Sequence, residues 1–388
     1  MKHLFQIIFF FLFINSSFGK SYVSPEMFGA IGNGLVDDTY ALQKALNSGH
    51  SIQLDGTYLI TRNLTIKNTI LGSGKILIGR NDVSLYCNAE GISIIGLTFD
   101  YQQHEGKLMR LKGAHNIIIE NCSFLNVGNH TTKQSEGIIQ ISEGSSYIYI
   151  RKCRFNHCYA SIESSSAGVW VNFSSSKDRC HHIYVDNCYF NDFQPSQDAD
   201  AIKILGQNEE VYVYINNCEF HRCDKRALKL QARECHSRNN VIYVTRPMYC
   251  AIDFQRGHGT SSNDQIIIDY DGVSKINPNS GLLYRAICIA QGYVKVNNLH
   301  VTSQNVIDNS HQIAVCLQSF VDFDDGSVRN VIFNRCSFNG QSSLMTASEA
   351  VKSIYNIKLR NIDFKSQKIN KTITNIENQC KASIRKFL

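Results

Sequence analysis

The chain has only 4 prolines and a single tryptophan in 388 residues. After its first few positions no apolar run approaches the roughly 20 residues needed to span a bilayer. Helical periodicity is nearly missing too: apart from one short stretch near the start, hardly any segment repeats its apolar positions every three or four residues. The first gap excludes a membrane span once the leader is set aside, and the second argues against the strand–helix alternation of βαβ units. Charge is also sparse. With 39 Lys and Arg against 33 Asp and Glu, the net charge of +6 is mild for this length. It gives no reason to expect nucleic acid, and it permits an acidic ligand without demanding one.

What is present is β-forming. The chain has 18 Tyr and 21 Phe, with many Ile, Val and Asn, in short runs separated by Gly, Asn, Asp and Ser. One pattern recurs: IIIENCSF at Ile117 to Phe124, IYIRKCRF at Ile148 to Phe155, IYVDNCYF at Ile183 to Phe190, VYINNCEF at Val213 to Phe220 and VIFNRCSF at Val331 to Phe338. Its cysteines, Cys122, Cys153, Cys188, Cys218 and Cys336, recur at a period that means stacked supersecondary units. A second strand family reads DAIKI from Asp200, RALKLQ from Arg226, CAIDFQ from Cys250, RAICIA from Arg285 and IAVCLQ from Ile313. Each coil therefore contributes at least two strands, and the expected architecture is all-β: a single right-handed parallel β-helix over residues 20–388. Its last ~20 residues form a cap or a frayed tail.

Fourteen cysteines in an exported chain would ordinarily suggest disulfides. Five of them share one phase of the repeat, so they are expected to stack as small apolar side chains. Phe124, Phe155, Phe190 and Phe220 should form a parallel aromatic ladder, and Asn121, Asn187 and Asn217 an amide ladder at the turn. Cys158, Cys180, Cys223, Cys235 and Cys250 fall outside that phase, and some could pair. Residues 1–19 read as a cleaved signal peptide: Lys2 and His3 are basic, Leu4 to Ile14 is apolar, and Ser17-Phe18-Gly19 offers small residues for cleavage. The mature chain is thus expected to be secreted or periplasmic.

The one convincing helix begins near Asp37 and Asp38, either of which can cap it, and Tyr40, Leu42, Ala45 and Leu46 give it an apolar side that would close the first coil. The stretch MFGAIGNGLVDDTYALQKAL, Met27 to Leu46, resembles the opening motif of the pectate lyase superfamily. That superfamily is shared by polygalacturonase-like hydrolases, related exo-glucanases and many bacteriophage tailspikes. The resemblance implies a right-handed parallel β-helix acting on polysaccharide, and the export signal argues against the tailspike version.

Alternation in the second strand family points Ile202, Ile204, Leu228 and Leu230 inward. It sets Lys203, Lys229, Asp253 and Cys288 in one exposed column. Asp198, Asp200, Asp224, Lys225, Arg226, Gln231, Gln255, Arg256, His258 and Arg285 lie beside it. A charged face is ordinarily just solvated, but this concentration between residues 198 and 285 marks a candidate cleft. Similarity to polygalacturonases implies a catalytic aspartate at Asp200 within Asp198-Ala199-Asp200, a second at Asp224, followed here by Lys225, and a histidine at His258 within Gly257-His258-Gly259. It also implies an Arg-x-Lys site at Arg285, where Ile287 replaces the lysine.

Two chemistries suit these residue types. Glycoside hydrolysis needs a carboxylic acid to protonate the leaving oxygen and a carboxylate to activate water, and it needs no cofactor. β-Elimination from a uronate needs a base, an acid and a cation on the carboxylate. The resemblance to β-helix lyases implies Lys203, Arg226 and Lys229 as candidates for the basic roles, with Ca2+ held by Asp198, Asp200 and Asp224. Substrate contacts are expected from Lys203, Asp253, Gln231, Gln255, Arg256 and Arg285, and the cations there suggest an acidic glycan. Trp170, the single tryptophan, has a ring that could stack on a sugar, but a lone strand aromatic is more often core and it is read so. A non-catalytic carbohydrate-binding or adhesin-like β-helix is the remaining alternative, and convergence of Asp200, Asp224, Lys229 and His258 in one cleft would decide between them. The sequence leaves the oligomeric state open.

Overall fold

The computed structural model describes residues 22–131, 133–173, 175–195, 198–269, 282–303, 312–320, 325–365 and 370–378. The expected signal peptide, residues 1–19, and the last ten residues of the tail therefore lie outside the described residues. Within them 35 strands join in one continuous sheet. The pairings run parallel, coil upon coil, up to the final strand Asn370–Asn378, which lies antiparallel on Ser353–Lys365. This is the expected right-handed parallel β-helix, with three strands per coil where at least two were expected. One coil contributes Glu136–Ser142, Ser146–Arg151 and Arg154–Tyr159, and each strand pairs with its counterpart a coil later.

The recurring Cys-x-Phe unit builds the core. Phe99, Phe124, Phe155, Phe190 and Phe220 are fully buried and stack with centroids 4.6 to 5.1 Å apart. Such pairs add about 0.5–1.5 kcal/mol each beyond the area they bury. The cysteines stack beside them: the Cys153 and Cys188 backbone N–H groups donate to the Sγ atoms of Cys188 and Cys218. All thirteen described cysteines are buried and free, including the five outside the repeat phase. Beyond Cys218 the ladder changes chemistry. Asn240 and Asp264 take the next two places, and Ser237 and Ser261 both donate to Asp264.

The residue before each ladder cysteine has positive φ: 55° at Asn121 and Asn187 and 54° at Asn217. Asparagine tolerates this left-handed conformation better than most residues. Asn239, Asn263 and Asn298 continue the column, each amide donating to the one before it at 3.0–3.1 Å.

The helix Thr39–Leu46 closes the first coil with Leu42, Ala45 and Leu46 buried. Tyr40, expected on that side, is 73 % exposed. A helix turns about 100° per residue, so Ala41, one before Leu42 and four before Ala45, shares the buried stripe and Tyr40 does not. Asp37 accepts the Thr39 N–H, while Asp38 turns back to accept those of Ile31 and Gly32.

Candidate functional site

In the second strand family strict alternation fails at one place on every coil. Ala227 and Leu228 are both buried, as are Ala201 with Ile202, Ala251 with Ile252, Ala286 with Ile287 and Ala314 with Val315. The cross-strand register passes over each alanine. Side chains on either side of this break, three residues apart, consequently face the same way. Two outward columns result. One runs Lys107, Gly137, Ala167, Asp200, Arg226, Cys250 and Arg285. The other runs Arg110, Gln140, Trp170, Lys203, Lys229, Asp253 and Cys288. Alternation alone had given only the second.

The predicted column of Lys203, Lys229, Asp253 and Cys288 exists in register, but it is not exposed. Lys203, Asp253 and Cys288 are buried, because facing charges cover one another and Cys288 packs with Cys250 and Cys316. At the centre Arg226 donates to Asp198 at 2.6 Å, to Asp200 at 2.8 Å and to Asp253 at 3.5 Å. Lys203 and Lys229 both pair with Asp198, at 2.6 and 3.2 Å. Gln255 and Gln318 donate to the two oxygens of Asp253. Three cations therefore meet three carboxylates. Only Asp198 keeps an appreciable outlet, its side chain 30 % exposed against 0 % for Asp200 and 2 % for Asp253.

Electrostatics sort these groups. Burial works to raise the pKa of Asp198, but Lys203, Lys229 and the Arg226 hydrogen bond outweigh it and hold the carboxyl well below the usual range. Burial pushes Asp253 up against the pull of Arg226. It pushes the Lys229 ammonium down.

Asp224 belongs to a neighbouring cluster. Burial raises its pKa to about 6, although Arg246 lies 2.5 Å away. Arg246 also binds Asp192, which accepts from Tyr159 and Gln194 as well. Sequence reasoning missed Asp192 and Arg246, which sit outside the strand families it compared. The chain order still links the two clusters, because Asp198 and Asp224 each lie two residues ahead of the registered pair Asp200–Arg226.

The remaining predicted residues divide. His258 is not at this site: it occupies a turn with φ 50° and stacks on Tyr293 at 4.5 Å, among Arg233, Glu234 and Arg329. Arg285 bonds the Tyr249 hydroxyl and lies over the rings of Tyr249 and Tyr284, and the Lys225 ammonium also lies over the Tyr249 ring, 4.1 Å from its centroid. Gln231 follows the Lys229 column in register with Leu205, and Arg256 is buried just past Gln255. Trp170, read as core, instead faces outward between Gln140 and Lys203, with the Lys107 and Lys203 ammonium groups 5.5 and 5.4 Å from its ring. Its flanking buried valines, Val169 and Val171, were the available signal.

The proposed Ca2+ ligands do not fit that ion. Ca2+ needs six to eight oxygens. Here the carboxylates of Asp198, Asp200 and Asp224 are each engaged by Lys or Arg. No metal-ligating cluster occurs among the described residues, nor any helix long and apolar enough to cross a membrane.

No family model matches the chain. Solved structures that it resembles include phage tailspikes. The tailspike protein of E. coli bacteriophage HK620 in complex with pentasaccharide superposes with a TM-score of 0.64 over 88% of this chain and 65% of that one, at 14% identity. A variant of it in complex with hexasaccharide gives the same values. Identity this low shows the fold alone. A capsule K30/K69-specific depolymerase of Klebsiella phage K64-1 is 43% identical over 56 residues, which is 14% of this chain and 7% of that protein. The chain thus spans less than two thirds of the length of these relatives. The neighbours are of the tailspike kind that the leader had argued against, and they do not single out the pectate lyase superfamily.

Proposed function

We propose that this chain is an exported, polysaccharide-active β-helix that cleaves glycosidic bonds by hydrolysis along its two outward columns. One observation carries the reading: Asp198 and Asp224, each two residues ahead of Asp200–Arg226, have their pKa values displaced in opposite directions. Two carboxyls driven apart in this way are how a site assigns an acid and a base. Below about pH 6 Asp224 keeps its proton and donates it to the leaving glycosidic oxygen. Asp198 stays ionised under Lys203, Lys229 and Arg226; it faces the positive charge that develops on the sugar and takes the proton that the attacking water loses as it bonds to the anomeric carbon. Those cations make Asp198 a weak base, but they also fix which member of the pair is ionised. Asp200, Asp253, Gln255 and Gln318 hold Arg226 in position without reaching the substrate. The glycan-bound and capsule-specific neighbours support polysaccharide as the substrate class, and Lys2, His3 and the apolar run that follows support export.

Elimination is the second reading, favoured by the lowered pKa of Lys229 beside Arg226. The test is incubation of the mature chain with bacterial capsular and O-antigen polysaccharides, following reducing ends and unsaturated-uronate absorbance together. Reducing ends alone support hydrolysis, both signals together support elimination, and saturable binding without either leaves a carbohydrate-binding spine.

A further inference from the structure

Three successive rungs of the second outward column end in unmet hydrogen-bonding capacity. Arg110 pairs in register with Gln140, and Gln140 with Trp170. Arg110 Nε, Gln140 Oε1 and Trp170 Nε1 are each buried without a hydrogen-bond partner, giving a donor, an acceptor and a donor in a row. Gln140 itself is only 8 % exposed. Unpaired buried polar atoms cost about 1–3 kcal/mol each, so three on neighbouring rungs of one groove need a reason.

Charge distinguishes this stretch from the network next to it. Lys203, Arg226 and Lys229 are matched by Asp198, Asp200 and Asp253. Lys107 and Arg110 have no such match: Lys107 donates to the Ser135 carbonyl, and Arg110 to the Tyr86 hydroxyl while lying over the Tyr86 ring. Of the two carboxyls whose charge acts on Lys107, Glu136 has its pKa raised to about 8 by burial and so carries its proton at neutral pH, and Asp82 makes no ion pair with Lys107 among the described residues. Of the cations that the sequence assigned to an acidic glycan, Lys203, Arg226 and Lys229 are thus internally balanced, Arg285 and Lys225 lie over Tyr249, and Lys107 and Arg110 add two further cations without a carboxylate partner along the columns.

We infer that Lys107, Arg110, Gln140 and Trp170 form a subsite for an anionic part of a glycan, with Trp170 one rung and the two cations three rungs from the Lys203–Asp198 pair. The anionic substituent sits between Lys107 and Arg110, and sugar hydroxyls pair with Gln140 Oε1, Arg110 Nε and Trp170 Nε1. Adjacent rungs are about 4.8 Å apart, so a polymer held here runs directly past Asp198. This inference rests on the glycan reading above and names the substrate class and its recognition point.

Trp170 is the only tryptophan, so its emission reports on this subsite alone. The full mature chain is titrated with glucuronate, galacturonate, N-acetylneuraminate and glucose 6-phosphate, and with glucose and galactose as neutral controls. Saturable change with at least one acidic sugar, at least tenfold weaker with the neutral ones, is expected. Lys107→Gln and Arg110→Gln should each weaken it at least tenfold, Lys107→Arg should retain it, and thermal melting confirms that each variant is folded. A response to the carboxylate sugars only assigns a carboxylate substituent, and a response to the phosphate only assigns a phosphate. No response to any acidic sugar, equal response to neutral ones, or binding that survives both substitutions overturns the subsite. Polymer cleavage without any change in emission overturns the subsite and leaves hydrolysis standing; emission change without cleavage of any polymer does the reverse.

Discussion

The Asn217-Cys218 turn and the strand that starts at Arg226 lie within one turn of the solenoid, yet one is a copy of its neighbours and the other is not. From Asn121 to Phe220 each successive coil repeats the same turn: a left-handed residue, a small buried cysteine and a ring that stacks on the next. On the outward columns the same backbone carries Lys, Gly, Ala, Asp, Arg, Cys and Arg in succession. In a stacked fold repetition marks what holds the coils together, and its loss marks where coils differ in what they do.

The sharpest way to separate the two regions is Asp224→Asn. The amide mimics the protonated acid, and Arg246 keeps Asp192 as a partner. Cleavage should fall about 10²–10⁴-fold, as for loss of a general acid, while the melting temperature near pH 7 stays unchanged or rises. Equal activity in the variant would remove Asp224 from the mechanism.

The converse comes next. Phe155→Ala opens the ring stack between Phe124 and Phe190 and should cost about 3–5 kcal/mol in denaturant unfolding. Turnover per folded molecule should hold, because no charged group of the site touches that ladder. A large loss of turnover in fully folded protein would mean that the regions are not separable.

The pH dependence tests the acid directly. With Asp224 titrating at about 6 and Asp198 far lower, kcat/KM should be level below about pH 6 and fall up to tenfold per unit above it. A profile that instead rises with pH would favour Lys229 as base. Stability should carry a separate signal from Glu136, whose folded pKa of about 8 lies above its ordinary 4.5. The folded state then binds the extra proton, so this contribution is present below about 4.5 and is lost as pH rises to about 8. Glu136→Gln should flatten that part of the melting profile; an unchanged slope would contradict the raised value.

The smallest effect belongs to the turn. Asn217 at φ 54° should tolerate Gly and lose about 1 kcal/mol as Ala, read by thermal melting.

The repeating region was legible in the sequence because its period, its cysteine and its phenylalanine are all visible in one chain. The site was legible in composition but not in geometry. Two-residue alternation correctly aligned Lys203, Lys229 and Asp253, yet it could not bring Asp200 and Arg226 onto the same side. The break at Ala201, Ala227, Ala251, Ala286 and Ala314 does that, and the recurrent alanine just after the variable residue was its sequence signal. Nothing local reveals that Asp198 is shared by three cations, since Arg226 and Lys229 lie a coil away. His258 was misplaced for the opposite reason: a motif match put it in the cleft, whereas its positive φ belongs to a turn ladder. Trp170 was assigned inward on residue type when its neighbours' burial required it to face out.

The most direct test of the account is one experiment on matched preparations: reducing ends and unsaturated-uronate absorbance released from bacterial capsular polysaccharides by the mature chain and by its Asp224→Asn variant, with melting curves for both. The account predicts reducing ends without the absorbance from the parent chain, at least a hundredfold less from the variant, and superimposable or better melting of the variant. Cleavage by Asp224→Asn at the parental rate, or an unsaturated product from either, would contradict it.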